Sequence, residues 1–106
     1  MANTFILVHG SFQGGWIWQP TAAILRAAGH RVYTPTLDGC AERKVNLRAG
    51  LTVSTAATEL AEMMFYEDVQ DPVLVATSSG GLVVQKLATL ATIRINRLVF
   101  LDALVP

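Results

Sequence analysis

Pro72-Val73-Leu74-Val75-Ala76-Thr77-Ser78-Ser79-Gly80-Gly81 is the stretch on which the fold turns. Pro72 opens an apolar run, Val73 to Ala76, with no polar alternation, the pattern of a parallel strand covered on both faces. Leu82 to Ala91, directly after the two glycines, has the composition of a helix. A serine placed on such a strand-to-helix turn takes a strained backbone, and the chain closes that tightly only where the residues two before and two after are small. Ala76 and Gly80 meet this condition around Ser78, so the stretch matches the nucleophile-elbow pattern G-x-S-x-G with alanine for the first glycine. A helix starting behind Ser78 also directs its N-terminal N–H groups toward the place where a negative oxygen develops in acyl transfer. Taken alone, Ser-Ser-Gly-Gly reads equally well as a flexible connection.

A second turn shifts that balance. Phe5-Ile6-Leu7-Val8 is another short apolar run, and it ends in His9-Gly10-Ser11-Phe12-Gln13-Gly14-Gly15, a glycine-rich loop placed where the second N–H of an oxyanion hole is needed. Between the two turns, Pro20 suits the first turn of a helix that runs through Ala22 to Ala28 and stops at Gly29. Arg31 to Thr34 reads as a strand stopped by Pro35, followed by a polar loop from about Asp38 to Gly50. From about Val53 to Val69, the apolar residues Val53, Ala57, Leu60 and Met64 recur at helical spacing, with Glu59 and Glu62 on another face. Leu98 to Leu101 is a fourth strand. Strands alternating with helices predict right-handed parallel crossovers, and so a doubly wound, mainly parallel α/β sheet with helices on both faces. Such sheets bind ligands at the carboxyl ends of their strands, which is where the turns after Val8 and Ala76 fall.

The composition narrows the function. The 106 residues are 52% apolar with a formal net charge of zero, and the basic residues are scattered, which points away from nucleic acid and acidic membranes. One cysteine, Cys40, cannot form an intramolecular disulfide and reads as a buried or loop thiol; His9 and His30 lie too far apart for common metal spacings. Neither metal nor cofactor is expected. The amino-terminal residues have no basic leader and the first apolar run is too short for a signal core or a span, so the expected location is cytoplasmic. A dinucleotide fold, with Asp38 on a ribose, fails on spacing: Gly10 and Gly14 are separated by Ser11-Phe12-Gln13, and no Walker lysine is present. Trp16 and Trp18 read as packing between helix and sheet, and Met63, Met64 and Phe65 as core.

The two turns, with Gly14-Gly15-Trp16-Ile17-Trp18, Gly29-His30-Arg31-Val32 and Val99-Phe100-Leu101 running to Pro106, resemble the α/β-hydrolase fold, in its branch of small plant methylesterases, hydroxynitrile lyases and bacterial esterases. The resemblance runs nearly end to end. It implies a carboxylic ester hydrolase in which Ser78 is the nucleophile and acts on a small-molecule ester or lactone through an acyl-enzyme. The backbone N–H groups of Ser79 and Ser11 would form the oxyanion hole, with Phe12 as the alternative to Ser11. Relatives usually carry Gly and His or Glu where this chain has Ala76 and Thr77. Lyases of the branch carry a hydroxylated residue in place of Gly10, which favours hydrolysis over cyanohydrin cleavage. A ligand receptor built on the same fold is the third reading.

The pattern also calls for a carboxylate and then a histidine after the nucleophile. None of the histidines follows Ser78: His9 belongs to the first turn and His30 precedes the second strand, and both read as structural. Asp102 lies where some relatives place their acid, a minor candidate. The expectation is therefore that residues 1–106 are the N-terminal part of a single domain. Leu104-Val105-Pro106 would then lead toward a lid, and the acid and histidine would come from a second polypeptide or the remainder of the same chain.

Overall fold

In the computed structural model, which describes residues 2–90 and 94–103, the chain forms a four-stranded parallel sheet in the order β2-β1-β3-β4. The strands are β1 (Thr4–Val8), β2 (Arg31–Tyr33), β3 (Val73–Ser78) and β4 (Arg97–Ala103). The helices are α1 (Gln19–Ala27), α2 (Val53–Tyr66) and α3 (Gly80–Ala88). The doubly wound architecture expected from the alternating pattern is present.

The apolar runs are continuous because both faces of the sheet are covered. Ile6, Val8, Leu74 and Ala76 pack with Ala57, Leu60, Met64, Val83, Val84 and Leu87 of α2 and α3. Leu7, Val32, Val73 and Val75 face the other way, onto Trp18 and Ala22. Residues of opposite parity on each strand thus serve two separate cores. Leu60, Leu74 and Leu87 are fully buried, each stabilising the fold by about 2 kcal/mol.

Local signals set the helix ends. The Thr52 hydroxyl accepts from the Thr55 N–H at 3.1 Å, and the Thr55 hydroxyl accepts from the Thr52 N–H at 2.8 Å, a reciprocal cap that starts α2. This helix ends at Tyr66 and not at Val69. Asp68 turns left-handed at φ 52°, and the Val69 N–H returns to the Met64 carbonyl at 2.8 Å. The third helix begins at Gly80, two residues earlier than the apolar pattern indicated, and ends at Ala88; Ala91 lies outside the described residues. The segment expected as an irregular loop contains a 3-10 helix, Ala41–Asn46, and another, Gly15–Trp18, precedes α1.

Two core expectations need correction. Phe65 is 78% exposed and Trp16 60% exposed, because each occupies the outward side of its helix while Met64 and Trp18 take the inward side. Val53, at the first position of α2, is also exposed at 39%.

Strand order places the site. From β1 the chain crosses to β2 on one side, then returns past β1 to β3 on the other. The order reverses between β1 and β3, and in such sheets the carboxyl end of the strands at this reversal is where ligands bind. The loop after Val8 and the turn after Ala76, which are paired across the sheet, both lie at that end.

Candidate active site

Ser78 closes β3 with φ 52°, a left-handed conformation that a serine adopts only under constraint, and the residue is exposed at the carboxyl end of the strand. The constraint comes from close packing on the loop after β1. A Cβ built on Gly80 would lie 2.5 Å from the His9 carbonyl oxygen and 2.9 Å from that of Val8. Only glycine lets the first turn of α3 approach β1 this closely. A Cβ on Gly10 would lie 2.6 Å from the Ser78 Cβ and 3.1 Å from its Oγ. Residue 10 therefore abuts the serine directly. Ala76, two residues before Ser78, is fully buried.

The loop is a tight turn of its own. The Gln13 N–H donates to the Gly10 carbonyl at 3.3 Å, the Gly10 N–H donates to the Gln13 side-chain Oε1 at 2.8 Å, and Phe12 sits at φ 62° with its ring fully exposed. Ser11 faces the turn after β3: its N–H donates to the Ser79 Oγ at 2.8 Å, and the two hydroxyl oxygens lie 2.8 Å apart. The structure thus brings the three sequence-predicted site residues, Ser11, Ser78 and Ser79, together at adjacent strand ends.

His9 is fully buried and has a different task. Its Nδ1 lies 2.7 Å from the Gly10 carbonyl oxygen, which can only accept, so Nδ1 carries the proton; Nε2 accepts from the Leu37 N–H at 2.8 Å. Both ring nitrogens are committed, and burial holds the imidazole below its ordinary value of 6.5, against the opposing pull of the Gly10 carbonyl and Glu42. His30 sits at the far end of the sheet, its Nδ1 accepting from the Asn3 N–H at 3.0 Å and its ring edge-on to Phe5. Asp102 lies nearer. The register between β3 and β4 pairs Thr77 with Leu101 and Ser78 with Ala103, which leaves Asp102 as the extra residue of a bulge, exposed at φ 49°.

Behind the loop lies a polar network that sequence reading missed. The Gly15 N–H donates to the Thr36 hydroxyl at 3.0 Å, and that hydroxyl donates to Glu42 at 2.7 Å, which holds the Glu42 carboxyl below its usual range. Arg43 donates to the Thr36 carbonyl at 2.9 Å, pairs in two-pronged fashion with Glu59 of α2 at 2.6 and 2.9 Å, and lies 3.2 Å from Asp38. Asp38 is also bonded to Arg48 at 3.0 Å, which holds its carboxyl low; it is a structural carboxylate of the turn. Cys40 is partly exposed in this loop, and partial burial pushes its thiol up. Partners so far apart in sequence leave no local pattern; the only signal was the unusual density of charge between Asp38 and Arg48. Among the described residues, no group of three or more His, Cys, Asp or Glu side chains is gathered as a metal would require.

Comparisons with known proteins bear on the fold and the family. The profile of the alpha/beta hydrolase family matches residues 5–106. The chain is 42% identical over 106 residues to a carbendazim hydrolyzing esterase of Nocardioides sp. (strain SG-4G), covering 100% of this chain and 43% of that protein. It is 32% identical over 103 residues to an alpha-hydroxynitrile lyase of Arabidopsis thaliana, covering 96% of this chain and 40% of that protein. Among solved structures, an extracellular alpha/beta-hydrolase from a Paenibacillus species superposes with a TM-score of 0.87 at 34% identity, over 98% of this chain and 42% of that one. The chain therefore spans well under half the length of these relatives.

Proposed function

We propose, on the premise that this chain belongs to the alpha/beta hydrolase family, that it carries the nucleophile and oxyanion hole of a serine-dependent carboxylic ester hydrolase. The observation that carries the reading is the left-handed, exposed Ser78 held against Gly10 and Gly80 at the point where the strand order reverses. In this mechanism the Ser78 Oγ attacks the carbonyl carbon of an ester or lactone, and the carbonyl oxygen becomes an oxyanion held by the N–H groups of Ser79 and Ser11. A histidine accepts the serine proton and returns it to the departing alcohol. Water then attacks the acyl-enzyme, releasing the acid and restoring Ser78.

We place the histidine and its carboxylate outside residues 1–106, in the remainder of the same chain or a second polypeptide, reading these residues as the N-terminal part of one domain. The commitment of both His9 nitrogens and the remote position of His30 support this placement. No metal or organic cofactor enters the mechanism. The class of substrate, a small-molecule ester, is supported by the relative named as an esterase. Gly10 supports hydrolysis over the lyase reaction, since residue 10 abuts Ser78 and here offers no hydroxyl. No described helix is long and apolar enough to cross a membrane, and a cytoplasmic location remains our proposal.

In the complete protein, Ser78→Ala should lower turnover of an aryl ester by roughly four to six orders of magnitude. Retention of most activity rejects Ser78 as nucleophile. Cyanide release from a cyanohydrin without ester turnover selects the lyase reading, and tight ligand binding without turnover selects a receptor.

A further inference from the structure

Three consecutive residues of the loop meet three of the nucleophile turn: the His9 carbonyl faces Gly80, Gly10 faces Ser78, and Ser11 faces Ser79. Absence of a side chain permits the first two contacts. The third is made by hydroxyl groups: the Ser79 Oγ accepts from the Ser11 N–H at 2.8 Å and lies 2.8 Å from the Ser11 Oγ. We infer that the Ser79 hydroxyl is a positioning residue for the oxyanion hole, fixing the Ser11 backbone donor toward the nucleophile turn through a bridge closed by the Ser11 hydroxyl. The inference rests on the reading of Ser78 as nucleophile given above, and it concerns two side chains which that reading does not use.

The need for such a tie follows from the loop. Ser11 and Phe12 are exposed, and Phe12 holds a left-handed backbone, so neither residue is anchored by burial. The internal bonds of the turn run between Gly10 and Gln13 and leave Ser11 to be oriented by its contact with Ser79. An oxyanion hole works only if its donors already point at the charge when it forms. A neutral hydroxyl is also a weaker acceptor than an oxyanion, so the Ser11 N–H can pass from the Ser79 Oγ to the substrate oxygen as charge develops. The Ser79 side chain thereby keeps the donor oriented in the empty site without outcompeting the transition state. The pair holds two O–H protons and only one can lie between the two oxygens, so the bridge also leaves one hydroxyl proton free to donate.

The test uses the complete protein, p-nitrophenyl butyrate as the ester, and a trifluoromethyl ketone as an inhibitor that forms an oxyanion on the serine. Ser79→Ala should lower kcat roughly tenfold, less than the loss of an oxyanion donor itself, with KM within about twofold and trifluoromethyl ketone affinity falling in parallel with kcat. Ser79→Thr, which keeps the hydroxyl, should restore most of the rate. Ser11→Ala should cost several-fold alone and nothing further on the Ser79→Ala background, because both variants break one bridge. An unchanged or raised kcat in Ser79→Ala with an unaltered thermal midpoint overturns the inference while Ser78→Ala still abolishes turnover. So does strict additivity of the Ser11 and Ser79 effects; should Ser79→Ala be unstable, an unchanged kcat in Ser11→Ala overturns it on its own, since Ser11→Ala changes only an exposed hydroxyl. Turnover that survives Ser78→Ala overturns the nucleophile reading, and this inference with it.

Discussion

The loop after β1 and the turn after β3 meet at the same end of the sheet, yet they are held in place by opposite means. The loop is fixed by hydrogen bonds to residues far away in sequence: the His9 imidazole reaches Leu37, the Gly15 N–H reaches Thr36, and Arg43 ties the Thr36 carbonyl to Glu59 on α2. The turn after β3 is fixed by what is missing, since Gly80 lies against the carbonyls of Val8 and His9 with no room for a Cβ. A polar tether fails when a partner is removed, and a steric fit fails when an atom is added. The two halves of the site should therefore respond to different kinds of substitution.

Breaking the tether should have the largest effect on stability. His9→Ala leaves the buried Leu37 N–H and Gly10 carbonyl without their ring partners and opens a cavity, for a loss of about 4 kcal/mol, measurable by urea unfolding. The same imidazole gives a pH dependence. Its folded value is depressed below the ordinary 6.5, so protons bind the unfolded chain more readily, and the contribution of His9 is complete above pH 6.5 and declines as pH falls below it. His9→Asn should flatten that part of the stability profile between pH 7 and 5. A variant with the same slope as the parent would remove His9 from this role.

Breaking the fit should act mainly on rate. Gly80→Ala forces either the His9 carbonyl or the start of α3 to move, at a cost of about 2 kcal/mol in stability. Because the Ser79 N–H lies at the displaced end, kcat should fall about a hundredfold, within the range seen for the loss of an oxyanion donor. Equal kcat in parent and variant would mean that the two turns do not depend on close contact. The smallest effect is expected at the outer end of the tether. Thr36→Val removes the acceptor for the Gly15 N–H, and should cost about 1 kcal/mol with kcat within about twofold; a larger loss of rate than of stability would tie the network directly to the site.

This contrast also explains what could be read in advance. The turn after β3 was legible because its requirements are local: a buried strand, a serine, and small residues at fixed offsets. All three helices and all four strands were legible from apolar runs, helical spacing and breakers, with ends displaced where a left-handed residue such as Asp68 stopped a helix before its pattern ran out. The loop after β1 was found by its place after a strand, and Ser11 within it by the family resemblance. The service of His9 to Leu37 was not visible, since a histidine beside a glycine-rich loop looks alike whether its nitrogens face the backbone or a substrate. Nor were the Thr36–Glu42 bond, made by the turning of the segment after β2, and the Arg43–Glu59 bond, whose partners become neighbours only once α2 packs on the sheet.

With Ser78 as the nucleophile proposed above, its left-handed backbone sets folding and catalysis against each other at one residue. Glycine there would relieve the strained φ of 52° and remove the hydroxyl in the same step. Among variants screened only for expression or heat resistance, position 78 is thus a place where inactive sequences hold an advantage, while a screen for turnover retains serine against that gradient. The residue types recovered at position 78 report which of the two pressures a population has experienced.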